Sequence, residues 1–358
     1  KIIDDVIIHY EKKPPKDFPW LAYAYGDKAN FLKDEQDLKN SLKYRTKSCE
    51  LHNQKYKKQK QKDGDGNLIF CYYMLSTTYS DLKLYKKSIE ISSKAISIFE
   101  KYDNYKVNDF NGLTEFNYQL FHRATSYEKI FNYDDSIKDY KKLFELKKTP
   151  DKSNQREIEN FVRTARSLAY IYGKKGDYEN EFKYLKVYYN SVYEFASTDS
   201  YRLASVNVSM GNYFNSVNNF KEAIKHYDEV IKITDVTLNN SKLSYDDRSV
   251  FISNKMTAMV GKNTALNQLD PDNERKKNLA LELIEMNSEF EILDKRTDGY
   301  EYLAEYYFDT EDYENVKLTY QKIYKLLDKK INEAKKIKRI SSRDQWVGFS
   351  IADIRRVK

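Results

Sequence analysis

The sequence predicts an all-α chain, a right-handed α-solenoid of about seven antiparallel helical hairpins. Three observations carry that prediction. First, the 358 residues contain only 10 Gly and 5 Pro, far below the roughly 12% that average usage gives the two together. Turn-rich sandwiches, barrels and nucleotide-binding α/β folds need more. Second, 33% of the residues are charged and 40% hydrophobic, with a mean hydropathy of −0.83. That balance suits amphipathic helices with one solvated face, and it excludes a bilayer-spanning chain, since no run of 18 apolar residues occurs. Third, one phrase of small and aromatic residues recurs along most of the chain, as a stacked helical array requires.

The phrase has a small residue inside a first helix and an aromatic three residues later. A turn follows, then an aromatic six residues on, then a small-to-aromatic spacing in a second helix. Its clearest copies begin at Ser76 and Tyr79, Ala124 and Tyr127, Ala169 and Tyr172, Gly211 and Phe214, and Ala304 and Tyr307. Between the first-helix aromatics the steps are 48, 45 and 42 residues, and then 93, about two units. A small residue lets the second helix approach closely, and the aromatics fill the wedge between the two. The turn aromatics Tyr85, Tyr133, Tyr178, Phe220 and Tyr313 are expected to plug the hairpin ends. One hairpin cannot bury its own apolar face, so neighbours must stack.

Taken in order, residues 1–16 are a charged lead-in closed by Lys12-Lys13-Pro14-Pro15, which ends any helix there. The repeat domain is expected over 17–340. Its first hairpin runs from Asp17 to Lys62, with Leu21, Ala22 and Tyr25 as its small-aromatic phrase, and stops before Asp63-Gly64-Asp65-Gly66. Further pairs are expected at 67–102, 111–148, 155–197, 201–238, 245–294 and 299–340, the sixth being a degenerate unit. Turn chemistry in 148–154 and 239–242 separates neighbours. The tail, 341–358, opens on the helix-start pattern Ser341-Ser342-Arg343-Asp344 and carries Trp346, Phe349, Ile351 and Ile354. It reads as a capping helix or as the start of a further domain.

With Gly176-Asp177-Tyr178-Glu179-Asn180 and Asn219-Phe220-Lys221-Glu222-Ala223 as its turn and second-helix start, the chain resembles the tetratricopeptide repeat family over roughly 17–340. Two departures are visible. The family's usual period of 34 is lengthened to 42–48, and the proline that often closes a repeat is nearly absent, with Pro150 the one plausible case. The resemblance implies a superhelix whose first helices line a concave groove. Carried over residue by residue, that groove comprises Tyr73 and Thr77, then Tyr118, Phe121 and Thr125, then Arg163, Arg166 and Tyr170, then Asn212 and Asn215, then Glu301 and Glu305. Amide side chains can bond a peptide backbone, Arg can take a carboxylate with two hydrogen bonds, and aromatics can receive anchors. For Tyr73, Tyr118 and Phe121 packing between repeats is an equal alternative. For Arg163 and Arg166 a solvated face is. Gly211-Asn212 matches part of a chaperone carboxylate clamp, but Val208 stands where that clamp needs Lys, so chaperone binding is not expected.

The sequence offers no catalytic constellation. Asp63-Gly-Asp65-Gly-Asn67 begins like a calcium loop, but Leu68 and Met74 occupy the positions that require Gly and Glu. His9, His52, His122 and His226 are far apart, and none has a second ligand at metal spacing. His226 reads as a helix-face residue. Phosphate-loop, kinase and serine-hydrolase motifs are missing. No cofactor, no metal and no enzyme activity are expected. Net charge is +7, with Lys and acids interleaved, and the basic run Lys55–Lys62 reads as an exposed helix end, so nucleic acid is not an expected partner. Two cysteines, Cys49 and Cys71, cannot build a disulfide framework; a reducing, cytoplasmic setting is expected, with Cys71 a buried thiol.

The functional expectation is a non-catalytic scaffold or regulatory module that binds a protein or peptide on its concave surface. The alternative is the sensor arm of a larger effector enzyme, a caspase-like peptidase or sensor kinase, whose catalytic domain lies outside this chain. Partner identity and oligomeric state are not legible.

Overall fold

The protein is described by a computed structural model that covers residues 2–12, 19–59, 66–102, 110–146, 154–196, 198–239, 242–289 and 297–336. Every regular element among these residues is a helix. After α1 (Ile2–Lys12) come seven pairs. They are α2 (Pro19–Asp34) with α3 (Leu38–Gln59), α4 (Gly66–Asp81) with α5 (Tyr85–Tyr102), and α6 (Phe110–Lys129) with α7 (Tyr133–Leu146). Then follow α8 (Gln155–Lys175) with α9 (Tyr178–Phe195), α10 (Ser200–Ser216) with α11 (Phe220–Leu238), α12 (Tyr245–Leu269) with α13 (Asn273–Glu289), and α14 (Asp298–Asp309) with α15 (Tyr313–Lys336). The chain divides into two compact units at 150/151. Unit 1 holds α1–α7 and unit 2 holds α8–α15. In each, a helix packs on the next in sequence, the arrangement of a helical-repeat stack.

The turn inside each pair is built almost the same way. Two residues before the second helix, Gln36, Lys83, Phe131, Gly176, Asn218 and Glu311 adopt φ of 60–72°. Only one of the six is Gly, so five turns hold a side chain in a conformation that costs roughly 1–2 kcal/mol. Backbone bonds offset that cost: the next residue's N–H reaches a first-helix carbonyl, as in Asp177 to Tyr172 at 3.0 Å and Asn219 to Phe214 at 2.8 Å. That next residue is also an N-cap. Asp37, Asn132, Asp177, Asn219 and Asp312 each accept from the N–H three residues on, at 3.1–3.4 Å. The sixth pair lacks the left-handed turn; Asp270 there is extended, with φ of −153°.

Of the turn aromatics, Phe220 is half-buried and packs against the core around Ala223 and Tyr227, whereas two others stay outside the hairpin end. Tyr178 and Tyr313 are 45% and 60% exposed, and Tyr313 instead meets Phe308 edge-on at 6.0 Å. The wedge is filled deeper, by Tyr140 and Tyr227, both 1% exposed. Small residues do allow close approach: Ser41 Oγ donates to Ala29 O at 2.7 Å, and Ser136 Oγ to Ala124 O at 2.8 Å.

The lead-in contributes α1, whose Ile3, Ile7 and Tyr10 pack on Leu21, Ala24 and Tyr25. It ends at Lys12, ahead of the proline pair. The reading of Cys71 as a free thiol is corrected: Cys49 of α3 and Cys71 of α4 form a disulfide, with Cα atoms 5.5 Å apart. Both are buried, and the bond ties the first hairpin to the second. Residues 22 apart in sequence come within bridging reach only once α4 stacks on α3. Residues 63–65 of the calcium-like segment and the tail 341–358 lie outside the described residues.

Candidate functional site

In unit 1 the first helices α2, α4 and α6 carry little charge. α2 has two acids and two bases, α4 a single acid, and α6 two of each. Their surface is aromatic. Tyr73 stacks on Tyr118 at 5.3 Å and meets His122 edge-on at 5.0 Å, with Phe70 6.3 Å away. Tyr73 and Tyr118 are therefore joined across consecutive hairpins. Phe121 instead turns inward onto Tyr140 at 5.4 Å. Thr125 Oγ1 bonds Phe121 O and the Tyr140 hydroxyl. Thr77 is buried, and its hydroxyl donates to Met74 O at 2.8 Å. Of the candidates in this unit, Tyr73 and Tyr118 keep a half-exposed face, whereas the Thr77 and Thr125 hydroxyls are taken up inside the stack.

In unit 2 the predicted Asn212 and Asn215 come together in a cleft of 330 Å³ that spans α10, α12 and the start of α14. Its wall includes Ser216, Tyr227, Thr257, Gly261 and Asp298. The organising residue is Tyr227 of α11. Its ring is wedged between two glycines on neighbouring first helices: a Cβ at Gly211 or Gly261 would fall 2.6 or 2.3 Å from ring atoms. Gly is needed at both places because the ring occupies the space of any larger residue. The Tyr227 hydroxyl donates to Asn212 Oδ1 at 2.8 Å. Asn215 Nδ2 donates to that hydroxyl at 3.1 Å and to Gly261 O at 3.0 Å. These two bonds fix the amide's orientation and leave Asn215 Oδ1 buried without a partner. Burial pushes the Tyr227 pKa up, against the pull of the Asn215 hydrogen bond.

Beside the cleft, Asn207 Nδ2 donates to Tyr193 Oη at 3.0 Å and to Leu203 O at 2.9 Å. Its Oδ1 therefore accepts from His226 Nδ1 at 2.8 Å, placing the neutral ring's proton on Nδ1. His226 stacks on Phe214 at 5.5 Å, and burial lowers its pKa. It serves the packing and ligates nothing. Asn207 and Gly261 were not singled out from sequence. The one signal for Gly261 was a glycine inside a helical pattern, which often marks a close approach.

Arg163, Arg166 and Tyr170 share the exposed side of α8. Tyr170 is 51% exposed, and the Lys174 ammonium lies 5.3 Å from its ring centre. Glu301 is half-buried on α14. Glu305 does not join the cleft. It lines a separate recess with Phe308, Asp309 and Tyr320, and Lys276 stands 3.8 Å from it and 2.6 Å from Asp309. Asp298 takes the acidic position in the cleft instead. Among the described residues no group of three His, Cys, Asp or Glu side chains could hold a metal ion, and no described helix is long and apolar enough to cross a membrane.

Residues 71–102, essentially α4 and α5, match the tetratricopeptide repeat family. The apo crystal structure of RapI is similar to this chain with a TM-score of 0.59 and 12% identity, over 99% of this chain and 80% of that one. A signal-transduction ATPase with numerous domains from Pyrococcus horikoshii, which has a tetratricopeptide repeat sensor, is similar with a TM-score of 0.59 and 14% identity. That likeness covers 95% of this chain and 46% of the other. No curated protein sequence matches. At these identities the structural likeness speaks for the fold alone. One hairpin of the stack, α4 with α5, thus matches the tetratricopeptide repeat family, and the other pairs share its helical-hairpin architecture.

Proposed function

We propose that this helical-repeat chain is a non-catalytic scaffold that binds a protein or peptide segment on the first-helix surface of unit 2. The α10–α12–α14 cleft supports this reading most directly. Its two amides are held in place by the Tyr227 network, which orients the exposed Asn212 amide for hydrogen-bonding a peptide backbone. Asn212 is exposed and presents Nδ2 as a donor, while the Ser216 and Thr257 hydroxyls beside it donate within their own helices, to Asn212 O and Ser253 O. Selection of a random peptide library on the full chain tests the proposal. Enrichment is expected with the native protein and is expected to be lost when Asn212→Ala and Asn215→Ala are combined. Equal enrichment by the double variant overturns the assignment of the cleft.

A second reading, the sensor arm of a larger effector, draws support from the fold likeness to a signalling ATPase with a tetratricopeptide repeat sensor, of which this chain spans 46%. The intact mass of the native gene product tests it. A product that carries a nucleotide-binding or peptidase domain supports this reading, and one of about 43 kDa, near the 42.6 kDa of this chain, overturns it.

A further inference from the structure

Seven residues after the start of α3, α5, α7, α9, α11 and α13 stand Arg45, Ser92, Tyr140, Leu185, Tyr227 and Ala280, and each is at most 3% exposed. In unit 2 two of them show what closes this position. Tyr227 is wedged against Gly261 of the following first helix, α12, and Ala280 packs with Leu303 and Tyr306 of α14. The same position in α15 is Tyr320, and it is only half-buried. It lines the 290 Å³ recess with Ala304, Phe308 and Val316, whose polar edge Lys276, Glu305 and Asp309 hold among themselves. Phe308 is exposed. From Tyr320 an apolar stripe continues along one side of α15, through the exposed Tyr324 to the half-buried Ile331. Among the described residues no helix follows α15 to cover it. α14 and α15 together carry seven acids and seven bases, so the pair is balanced in charge and its apolar stripe decides what can dock.

We propose that residues 341–358 form the helix that covers this stripe, packed antiparallel on α15, with Ile354 and Val357 entering the recess beside Tyr320. At 100° per residue, Trp346, Phe349, Ser350, Ile354 and Val357 share one face, and Asp344, Gly348, Ala352 and Arg355 lie opposite. Such a helix has one face to bury and one to leave in water, as the end of a stack requires. The connection has the right length. Elsewhere a first helix begins five to nine residues after the preceding second helix ends, as from Leu238 to Tyr245 and from Glu289 to Asp298. Counted from Lys336, that window is 341–345, where Ser341 and Ser342 supply N-cap residues. The register agrees as well. Ile331 lies five residues before the end of α15 and Trp346 five after Ser341, whereas Tyr320 lies 16 before that end and Val357 16 after Ser341. An antiparallel helix therefore brings both pairs level. Packed helices lie about 8–10 Å apart, a gap that residues 337–340 can cross at about 3.3 Å each. A segment tied so closely meets the stripe at an effective concentration on the order of millimolar, which a second copy of the chain reaches only in concentrated solution.

The test uses the full chain with Trp20→Phe, which leaves Trp346 as its one tryptophan. Trp346 emission is expected at shorter wavelength than in the free peptide 341–358, with several-fold weaker quenching by acrylamide, at every protein concentration. A photo-crosslinking residue in place of Phe349 should react within the same chain, with α14 or α15. Ile354→Lys is expected to restore most of the quenching seen in the free peptide, and Tyr324→Lys should do the same from the other side of the contact. Arg355→Glu, on the opposite face, should leave the quenching as it was. Unchanged hydrogen exchange in α10–α13 of these variants shows that the rest of the unit stays folded. Quenching of the starting protein equal to that of the free peptide, crosslinks to α8–α13 or to a second copy, an emission shift that depends on protein concentration, or equal effects of Ile354→Lys and Arg355→Glu would each overturn the inference.

Discussion

Tyr140 in unit 1 and Tyr227 in unit 2 stand at the same place in their hairpins, four residues after Ser136 and Ala223. Both are fully buried, yet their hydroxyls end in different surroundings. Tyr140 reaches Thr125, whose own oxygen is already bonded to Phe121 O, and Phe121 covers the ring. The polar group is absorbed into packing. Tyr227 reaches Asn212 and Asn215, which open on a cleft. The same wedge residue closes one surface and organises the other. The difference lies in what the first helices bring: aromatics with few charges in unit 1, and the amides of α10 in unit 2. Unit 1 is also tied covalently, through Cys49 and Cys71, whereas unit 2 contains no cysteine and is held by packing, hydrogen bonds and ion pairs such as Lys262–Asp228 and Lys276–Asp309.

That contrast can be tested by perturbing each unit where it is held. The largest effect is expected from replacing both cysteines by serine. Freeing a loop closed by residues 22 apart should cost unit 1 about 3 kcal/mol through the regained entropy of the unfolded chain. Hydrogen exchange resolved by unit should show faster exchange in α3 and α4, with α8–α15 unchanged; equal loosening of both units would break the comparison. Next, Gly261→Ala should cost unit 2 about 2 kcal/mol by overpacking, since the new Cβ would lie 2.3 Å from the Tyr227 ring. Urea unfolding followed by tyrosine fluorescence reads this, and an unchanged midpoint would mean that the ring can move aside.

A smaller effect is expected from pH. Burial lowers the His226 pKa, with nearby Glu222 opposing and Lys225 assisting. The unfolded ring binds a proton near its ordinary value of about 6.5, so over this window the unfolded state holds more protons than the folded one. Unit 2 should therefore keep its full stability above that pH and lose some as pH falls through it, until the folded ring itself protonates. Thermal unfolding across pH 5–8 checks this, and His226→Gln should flatten the dependence. The smallest effect is a control. Lys83→Gly in unit 1 and Glu311→Gly in unit 2 relieve the same left-handed turn and should each change stability by less than about 1 kcal/mol, by similar amounts. Unequal changes would show that the shared turn is loaded differently in the two units.

By itself the sequence determined the helical class, the seven hairpins and nearly all their boundaries. These follow from local signals: small and aromatic residues at fixed helical spacing, and an Asp or Asn just before most second helices. It also placed Asn212 and Asn215 on the same stretch of a first helix, which is why that pair could be named in advance. Tertiary structure decided whatever depends on distances between helices. The Cys49–Cys71 bond exists because α4 lies against α3. Of the turn aromatics, Tyr178 and Tyr313 are left exposed while Phe220 packs inward on the core around Tyr227. Thr77 turned inward, and Glu305 settled beside Lys276 instead of in the cleft. Gly261 gained its role from a tyrosine 34 positions earlier. Helical periodicity places a residue on a face, but whether that face meets solvent, a neighbouring helix or a cleft depends on how the hairpins stack.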